Sequence, residues 1–486
     1  MHKSFETRIE TRRAFLKTAA AAGATAAVAS RRTFAASEDS TYFAGAAERE
    51  ITPPVGMEIT HFVRENIGVH DPLYVRAIVL RDTHGKQIAL ISADALGAGF
   101  ATCDEIRNRV KAECGVDEAW FSCSHTHSGR WILSTPTPGR NYTEELMWDD
   151  GTHVALTERP EELAWNTSVH KKIIDAVHEA IQRLQPAELR TGRAAVKVGI
   201  NRRVTRPDGF THMGWNREGL IVPWVSTLSA HNKSTSQPIF VLFEHAAHPV
   251  TVPHTSRLVS ADFPGAAVAK LRKSLPSDCI AAFGQGCSAN INSFPLRTTH
   301  QDAEAAGIKL GEAALLAVGN SKPITGNSIR IKTVPTVLPT MPLPSEALVE
   351  SQLKIQIKYP ARIKQLERIE SYRATGKAPP PRRFDAHGVM LGSEFCLVGL
   401  PFEHFSQTER WLDRQAPFAN TMAFTLTNGG RGYIGSDKGL AMGPNGGYEA
   451  GCMPNWSAHE VMSPNLGPPA VGSEKIIQGA IMALWA

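Results

Sequence analysis

Between Gln87 and His127 the chain reads "QIALISADALG", "ATCDEIRNRVKAEC" and "EAWFSCSHTH", a buried strand over 87–97, a helix over 101–114 and a second strand over 118–127. That alternation of apolar strand-like runs with amphipathic helices recurs from Tyr42 to Ala486 and constrains the fold more than any other feature: it is the signature of an α/β architecture. "NTSVHKKIIDAVHEAIQRL" (166–184) sets Val169, Ile173, Val177 and Ile181 at helical spacing behind a cap at Asn166 or Thr167. "PIFVLFEHAAHPVTV" (238–252) is a continuous apolar run interrupted by His245 and His248. "CIAAFGQGCSANIN" (279–292) predicts a strand and a tight polar loop, "FCLVGLPFEHFSQTERWL" (395–412) a strand, a turn at Pro401 and a helix, and "TMAFTLTNGGRGYIG" (421–435) a strand with a glycine-rich exit.

Composition narrows the function classes. With 486 residues, 42% hydrophobic and 20% charged, the chain can bury a large core. A net charge of +5, not gathered into one stripe, gives no case for nucleic-acid binding. The N-terminal "TRRAFLKTAAAAGATAAVAS" joins Arg12 and Arg13 to a weakly apolar Ala-rich run and resembles a twin-arginine export signal over residues 1–36. It predicts a mature protein that starts between Ala36 and Ser40 and is periplasmic or secreted. Seven scattered cysteines without a CxxC pattern fit a disulfide scaffold poorly and leave room for one or two bridges. The Lys/Arg-rich stretch 353–383 reads as a solvated surface helix and loop.

In open α/β sheets ligands collect at the carboxyl ends of strands. Here those ends carry His125 and His127, His248, Ser288 and Asn290, Glu403, and Tyr433. If His-Thr-His is extended, its two imidazoles share a face about 7 Å apart. They are then metal ligands, catalytic bases or a hydrogen-bonded polar strand end. His245 fits an ordinary core histidine. Two histidines and a carboxylate can hold Zn²⁺ and leave room for a water that the metal makes nucleophilic. Ser288 in "GQGCSAN" does not sit in a G-x-S-x-G elbow, and the loop reads as support, with Asn290 and Asn292 satisfying backbone groups. Asp94 and Asp262 are either acceptors that orient ligand histidines or caps of the following helices, the cap being favoured for Asp262 by Pro264.

Read together, "AGAAEREITPPVG", "DPLYVRAIVL", "SADALGAG", "SHTHSG", "GINRR", "GCSANIN", "VGLPFE" and "GYIGSDKGLAMGPNGGYEAG" follow in order the landmarks of the neutral/alkaline ceramidase family. The resemblance implies mixed β-sheets flanked by helices in a single large catalytic domain over 37–486. It implies a Zn²⁺ held by His125, His248, Glu403 and Tyr433, and a zinc-activated water that cleaves a linear amide of ceramide or another N-acyl lipid. It also implies His127 facing substrate as acid/base or oxyanion donor, with Arg202, chosen over Arg203 on the family's Asn-Arg pairing, and Tyr448 as the remaining polarising groups. The expected partner is a small-molecule or lipid substrate, with transient membrane-surface contact allowed and no obligate protein partner.

The sequence departs from the family in two places. It ends in a helix-like "SEKIIQGAIMALW" where the family's catalytic region would end, so the expectation is a chain without the family's immunoglobulin-like C-terminal domain. "HTHSG" runs into Arg130-Trp131 in place of the usual Pro-Gly-Gly, which alters the cleft wall beside His127. These changes bear on the substrate more than on the metal. Two other readings therefore stay open, a zinc esterase or amidase for a small non-lipid substrate and a non-catalytic binding protein with the same fold. Trp131, Phe210, Trp215 and Trp224 either line an apolar cleft or fill the core.

Overall fold

Strands buried on both faces read as unbroken apolar runs, and the longest such runs here form the middle of the protein. The computed structural model describes residues 41–59, 64–135, 160–343, 345–347, 350, 367, 370–376, 381–450 and 469–486. The export-signal reading (1–36) and most of the 353–383 stretch lie outside them.

The main sheet is built from β1 (Tyr42–Glu50), β2 (Tyr74–Arg81), β3 (Gln87–Ala93), β4 (Glu118–Cys123), β5 (Gln185–Ala195), β6 (Trp224–Asn232), β7 (Pro238–His245) and β8 (Ile280–Gln285). Their order is β8-β7-β6-β5-β1-β2-β3-β4, and Lys322–Pro323 pairs beside β5 as a ninth strand among the described residues. Only the two outermost pairs are parallel, Ile88 lying opposite Glu118 and Phe240 opposite Ile280. Each is closed by a crossover helix, α1 (Phe100–Cys114) for β3 and β4 and, further along the chain, one for β7 and β8. Helix α2 (Pro160–Gln182) follows α1, then come that second crossover helix, α3 (Asp262–Ser274), and α4 (His300–Gly319).

A second sheet, β9 (Ile329–Leu338), β10 (Arg382–Leu391), β11 (Phe395–Gly399) and β12 (Asn420–Phe424), runs in that order. Its β11 and β12 are parallel around α5 (Ser406–Gln415), and the C-terminal helix α6 (Ser473–Trp485) packs on β9 and β10. The layers are helix, sheet, sheet, helix, and the period-2 alternation of the strands feeds them. Phe240 and Leu242 of β7, Trp120 of β4 and Phe395 and Leu397 of β11 meet between the sheets. Val241 and Phe243 face α3 and α4, Phe121 faces α1 and α2, and Cys396 and Val398 face α5 and α6. On α2 the predicted stripe of Val169, Ile173 and Val177 is fully buried, each side chain contributing about 2 kcal/mol.

Two local expectations give way to tertiary contacts. Helix α2 begins at Pro160, so Asn166 is not a cap but lies mid-helix, where its amide bonds both the N–H and the carbonyl of Leu133. Strand β4 stops at Cys123, because His125 has φ +68. The six described cysteines are free thiols.

Candidate metal centre

The chain leaves the carboxyl ends of the three parallel pairs into loops that meet. His125 and His127 follow β4, His248 follows β7, Ser288 to Asn292 follow β8, Glu403 follows β11 and Tyr433 follows β12. Backbone bonds fasten these loops to one another. Asn428 exchanges hydrogen bonds with both backbone groups of Phe121, holding the Tyr433 loop on β4. The His248 N–H donates to the carbonyl of Ile291, and Thr126 Oγ1 donates to that of Ser260. Glu403 and Tyr433 are direct partners in a two-residue parallel ladder.

His125 and Phe402, the residue before Glu403, both have left-handed backbones, with φ +68 and +64. Conformations of this kind cost about 1–3 kcal/mol each and are kept where the surroundings hold them. Here the turn does what an extended segment was expected to do. It brings the rings of His125 and His127 edge to face at 4.9 Å between centroids, with His248 5.0 Å from His125.

The hydrogen bonds settle which nitrogens face inward. His125 Nδ1 lies 2.6 Å from the carbonyl of Leu96 and His248 Nδ1 2.8 Å from that of Ser288, so each Nδ1–H donates outward. Both Nε2 lone pairs then point at Glu403 Oε2, at 3.3 Å from His125 and 2.8 Å from His248. Burial would lift the Glu403 carboxyl, and it is held well below the usual carboxylate range only when positive charge shared with His125 and His248 outweighs that burial. Burial, reinforced by Arg202, lowers the His248 pKa to about 4. With each Nδ1–H turned outward, the Nε2 atoms of the neutral rings and the carboxylate oxygens face one another as acceptors only, and such a cluster is completed by a cation. The size agrees, since a tetrahedral zinc site with bonds of about 2 Å has ligand edges of about 3.3 Å. His125, His127 and His248 each offer a ligand atom within 4.8 Å of the others, a cluster able to hold a metal. His127 alone of the three is half-buried.

Beside this cluster lies a second group. Arg202 is buried, its Nε donating to Glu449 Oε1 at 2.7 Å and its Nη1 to Asn292 Oδ1 at 2.9 Å. Its guanidinium sits 5.4 Å from the Tyr433 ring centroid and 5.9 Å from that of Tyr448. Burial, with Glu403, pushes the Tyr433 phenol well above its ordinary pKa, and burial also raises that of Tyr448. Arg203 instead lies over Phe405 and donates to the Gly446 carbonyl. The structure thus gathers all seven predicted residues, His125, His127, Arg202, His248, Glu403, Tyr433 and Tyr448. Glu449, which fixes both arginines, was not singled out by sequence, where it is an acid in a glycine-rich loop.

Among the supporting residues, Asp94 and Asn292 differ from expectation. Asp94 neither orients a histidine nor caps α1; it accepts from Arg76 Nη1 at 2.8 Å and from the Tyr74 N–H. Asp262 accepts from the N–H groups of Phe263 and Val252, so it serves the start of α3 and not a ligand. Asn290 satisfies the Ser406 N–H at the start of α5, whereas Asn292 holds Arg202. Ser288 is buried, accepts from Gln285 Nε2 and contributes its carbonyl to His248. Of the four aromatics in question, Phe210 is buried, Trp224 is in contact with the guanidiniums of Arg193 and Arg410, Trp131 lies under Arg431, and Trp215 is 64% exposed.

Below the Ser288 loop two carboxyls, Glu244 and Glu409, are buried side by side, and Glu409 accepts from the Cys287 N–H at 2.9 Å. Burial pushes Glu409 up to about 7 and, with Glu409 beside it, Glu244 well above its ordinary value. A carboxyl whose pKa is raised on folding keeps its proton while the unfolded chain loses its own, so stability falls as pH rises from about 4.5 to about 7. For Glu409 alone the loss is on the order of 3 kcal/mol. Chelator-treated protein is expected to have a lower urea midpoint at pH 8 than at pH 5.5, and Glu244→Gln to flatten that dependence. An unchanged profile in the variant would assign it to other groups. A Cβ on Gly286 would stand 2.1 Å from Glu244 Oε1, so Gly286→Ala is expected to destabilise by about 2–4 kcal/mol in the same measurement.

No family model matches the chain. Two curated relatives, neutral ceramidases of Drosophila pseudoobscura pseudoobscura and Drosophila melanogaster, are each 35% identical to it over 97 residues, 18% of this chain and 14% of theirs. Among solved structures, the neutral ceramidase from Pseudomonas aeruginosa covers 83% of this chain and 70% of its own, with TM-score 0.61 and 16% identity. A ceramidase complexed with C2 covers 91% and 74%, with TM-score 0.64 and 15% identity. The chain has the neutral ceramidase fold. The resemblance read from the ordered motifs holds, as does the α/β class with mixed sheets flanked by helices. Within the neutral ceramidase fold of this chain, the histidine cluster lies where the parallel strands end.

Proposed function

We propose that this chain is a zinc-dependent hydrolase of the ceramidase type, cleaving the linear amide of ceramide or another N-acyl lipid. One observation carries the reading: acceptor-only groups, His125 Nε2, His248 Nε2 and Glu403 Oε2, converge beside a buried guanidinium that a carboxylate holds in place. His125, His248, Glu403 and Tyr433 would hold the ion, Tyr433 giving up its phenolic proton in doing so. When bound, Zn²⁺ supplies Lewis acidity and makes water acidic enough to act as a nucleophile near neutral pH.

The chain's own residues do the rest. Arg202, fixed at two of its nitrogens, stabilises negative charge developing on the amide oxygen without reorganising. Tyr448 keeps its proton because burial raises its pKa, and its hydroxyl donates to the same oxygen. His127, half-buried beside His125, moves a proton between the attacking water and the departing amine. Arg130, which follows His127 by three residues, is tied to the Glu58 carbonyl and to Glu162, and Trp131 lies under Arg431. The twin-arginine-like N-terminus supports action outside the cytoplasm, in the periplasm or after secretion.

The test is metal content of the purified protein together with fatty-acid release from a panel of N-acyl lipids, before and after chelation. About one zinc per chain with release that chelation stops and zinc restores is the expected result. Zinc without release from any lipid would sink the substrate, and a metal-free, chelator-indifferent enzyme would sink the mechanism.

A further inference from the structure

The hairpin that carries Arg202 has an outer edge that the chemistry above does not use. Its strands, Gly199–Thr205 and Thr211–Asn216, form a small sheet with Ile291–Ser293. Trp215 is 64% exposed and Phe294 38%, and their rings meet edge to face at 5.6 Å. Met213 is exposed on the same strand as Trp215. Single exposed apolar residues need no account, but a contiguous aromatic pair on a sheet edge does.

One cation flanks the pair: the Arg217 guanidinium lies 5.6 Å from the Phe294 ring centroid. Arg217 forms no ion pair among the described residues, whereas Arg206 nearby is paired with Asp208. Phe294 follows Asn292, which holds Arg202, by two residues, and Trp215 lies on the strand paired with that of Arg202. The edge therefore belongs to the same small sheet that carries Arg202 and Asn292.

The geometry points to this edge as the surface that docks on an anionic lipid bilayer, Trp215 and Phe294 entering the interface while Arg217 meets lipid phosphates. Indole and phenyl rings settle at the headgroup level of a membrane, and each arginine near an anionic surface adds attraction. The inference rests on the N-acyl lipid reading: such a substrate resides in a bilayer, and its amide has to reach His127 and Arg202 from there.

Co-sedimentation of the full chain with vesicles of phosphatidylcholine alone, and of equimolar phosphatidylcholine and phosphatidylglycerol, tests it. Wild type is expected to bind the anionic vesicles more tightly. Trp215→Ala with Phe294→Ala should lose about tenfold or more on both kinds, and Arg217→Gln about fivefold on the anionic vesicles alone. Trp215→Ala by itself, at an exposed position, guards against misfolding. Wild-type binding by the aromatic variants, or no binding by wild type, would overturn the proposal, as would self-association of wild type that Trp215→Ala abolishes without any vesicle binding. Hydrolysis of a short-chain, water-soluble N-acyl substrate separates the two readings, and Trp215→Ala and Arg217→Gln should leave it unchanged. Intact short-chain hydrolysis without vesicle binding removes only the docking surface. Vesicle binding without hydrolysis of any N-acyl substrate removes only the reaction.

Discussion

Glu403→Gln is expected to remove stoichiometric zinc and hydrolysis together, while the metal-free protein stays at least as stable as metal-free wild type. The carboxylate faces His125 Nε2 and His248 Nε2 at 3.3 and 2.8 Å, and both Nδ1–H groups are already committed to carbonyls. An amide at this position supplies the donor that the cluster lacks. It satisfies one imidazole lone pair in the absence of metal and removes a buried negative charge. The same change is ruinous for the ion. Structural zinc sites bind with apparent free energies of about 10–16 kcal/mol, so one ligand in four is worth about 3–4 kcal/mol and several hundredfold in affinity. Two measurements check this. Metal analysis should show the loss, and thermal melts with and without chelator should show a shift for wild type that vanishes in Glu403→Gln, because a ligand stabilises only the state that binds it. A variant that keeps zinc and its chelator-sensitive melt would place Glu403 outside the metal centre. One that loses stability without chelator dependence would make it a structural ion pair.

The elements that fix this centre differ in how plainly the sequence shows them. The strands were legible because a chain buried on both faces has no polar side to disguise it: "PIFVLFEH" and "FCLVG" are such strands, and their carboxyl ends mark where His248 and Glu403 emerge. The pairing of the two sheets into four layers was not legible, since it depends on which neighbour each alternating face meets. His125 shows a subtler limit. Its position after a strand is read at once, but the left-handed turn that aims it is set by contacts to Leu96 and Ala95 from a different strand end. Asp94 and Asn292 were given the wrong partners for the same reason: the arginines they bind, Arg76 and Arg202, lie 18 and 90 residues away. Glu449 left no local signal at all, because an acid among glycines acquires a role only when two arginines are folded against it.

That role makes the last prediction a matched pair. Arg202→Met is expected to lower kcat on the order of 10²–10³-fold with zinc content and melting temperature little changed. The fold tolerates the loss because Glu449 keeps Arg203, at 2.5 Å, as its counter-charge, and the methionine fills the space beside Tyr433 and Tyr448. Glu449→Gln should do the reverse. It leaves two guanidiniums, one of them fully buried, without their shared carboxylate, and breaking a buried pair from one side costs about 3–5 kcal/mol. Stability then falls most, and kcat falls with it because Arg202, still charged, is held only by Asn292 and drifts from the amide oxygen. Arg202→Lys distinguishes position from charge, since a lysine keeps the cation but cannot span Glu449 and Asn292 at once. If lysine restores activity while Glu449→Gln leaves it intact, the fork held by Glu449 has no part in the reaction and Arg202 acts as a charge alone.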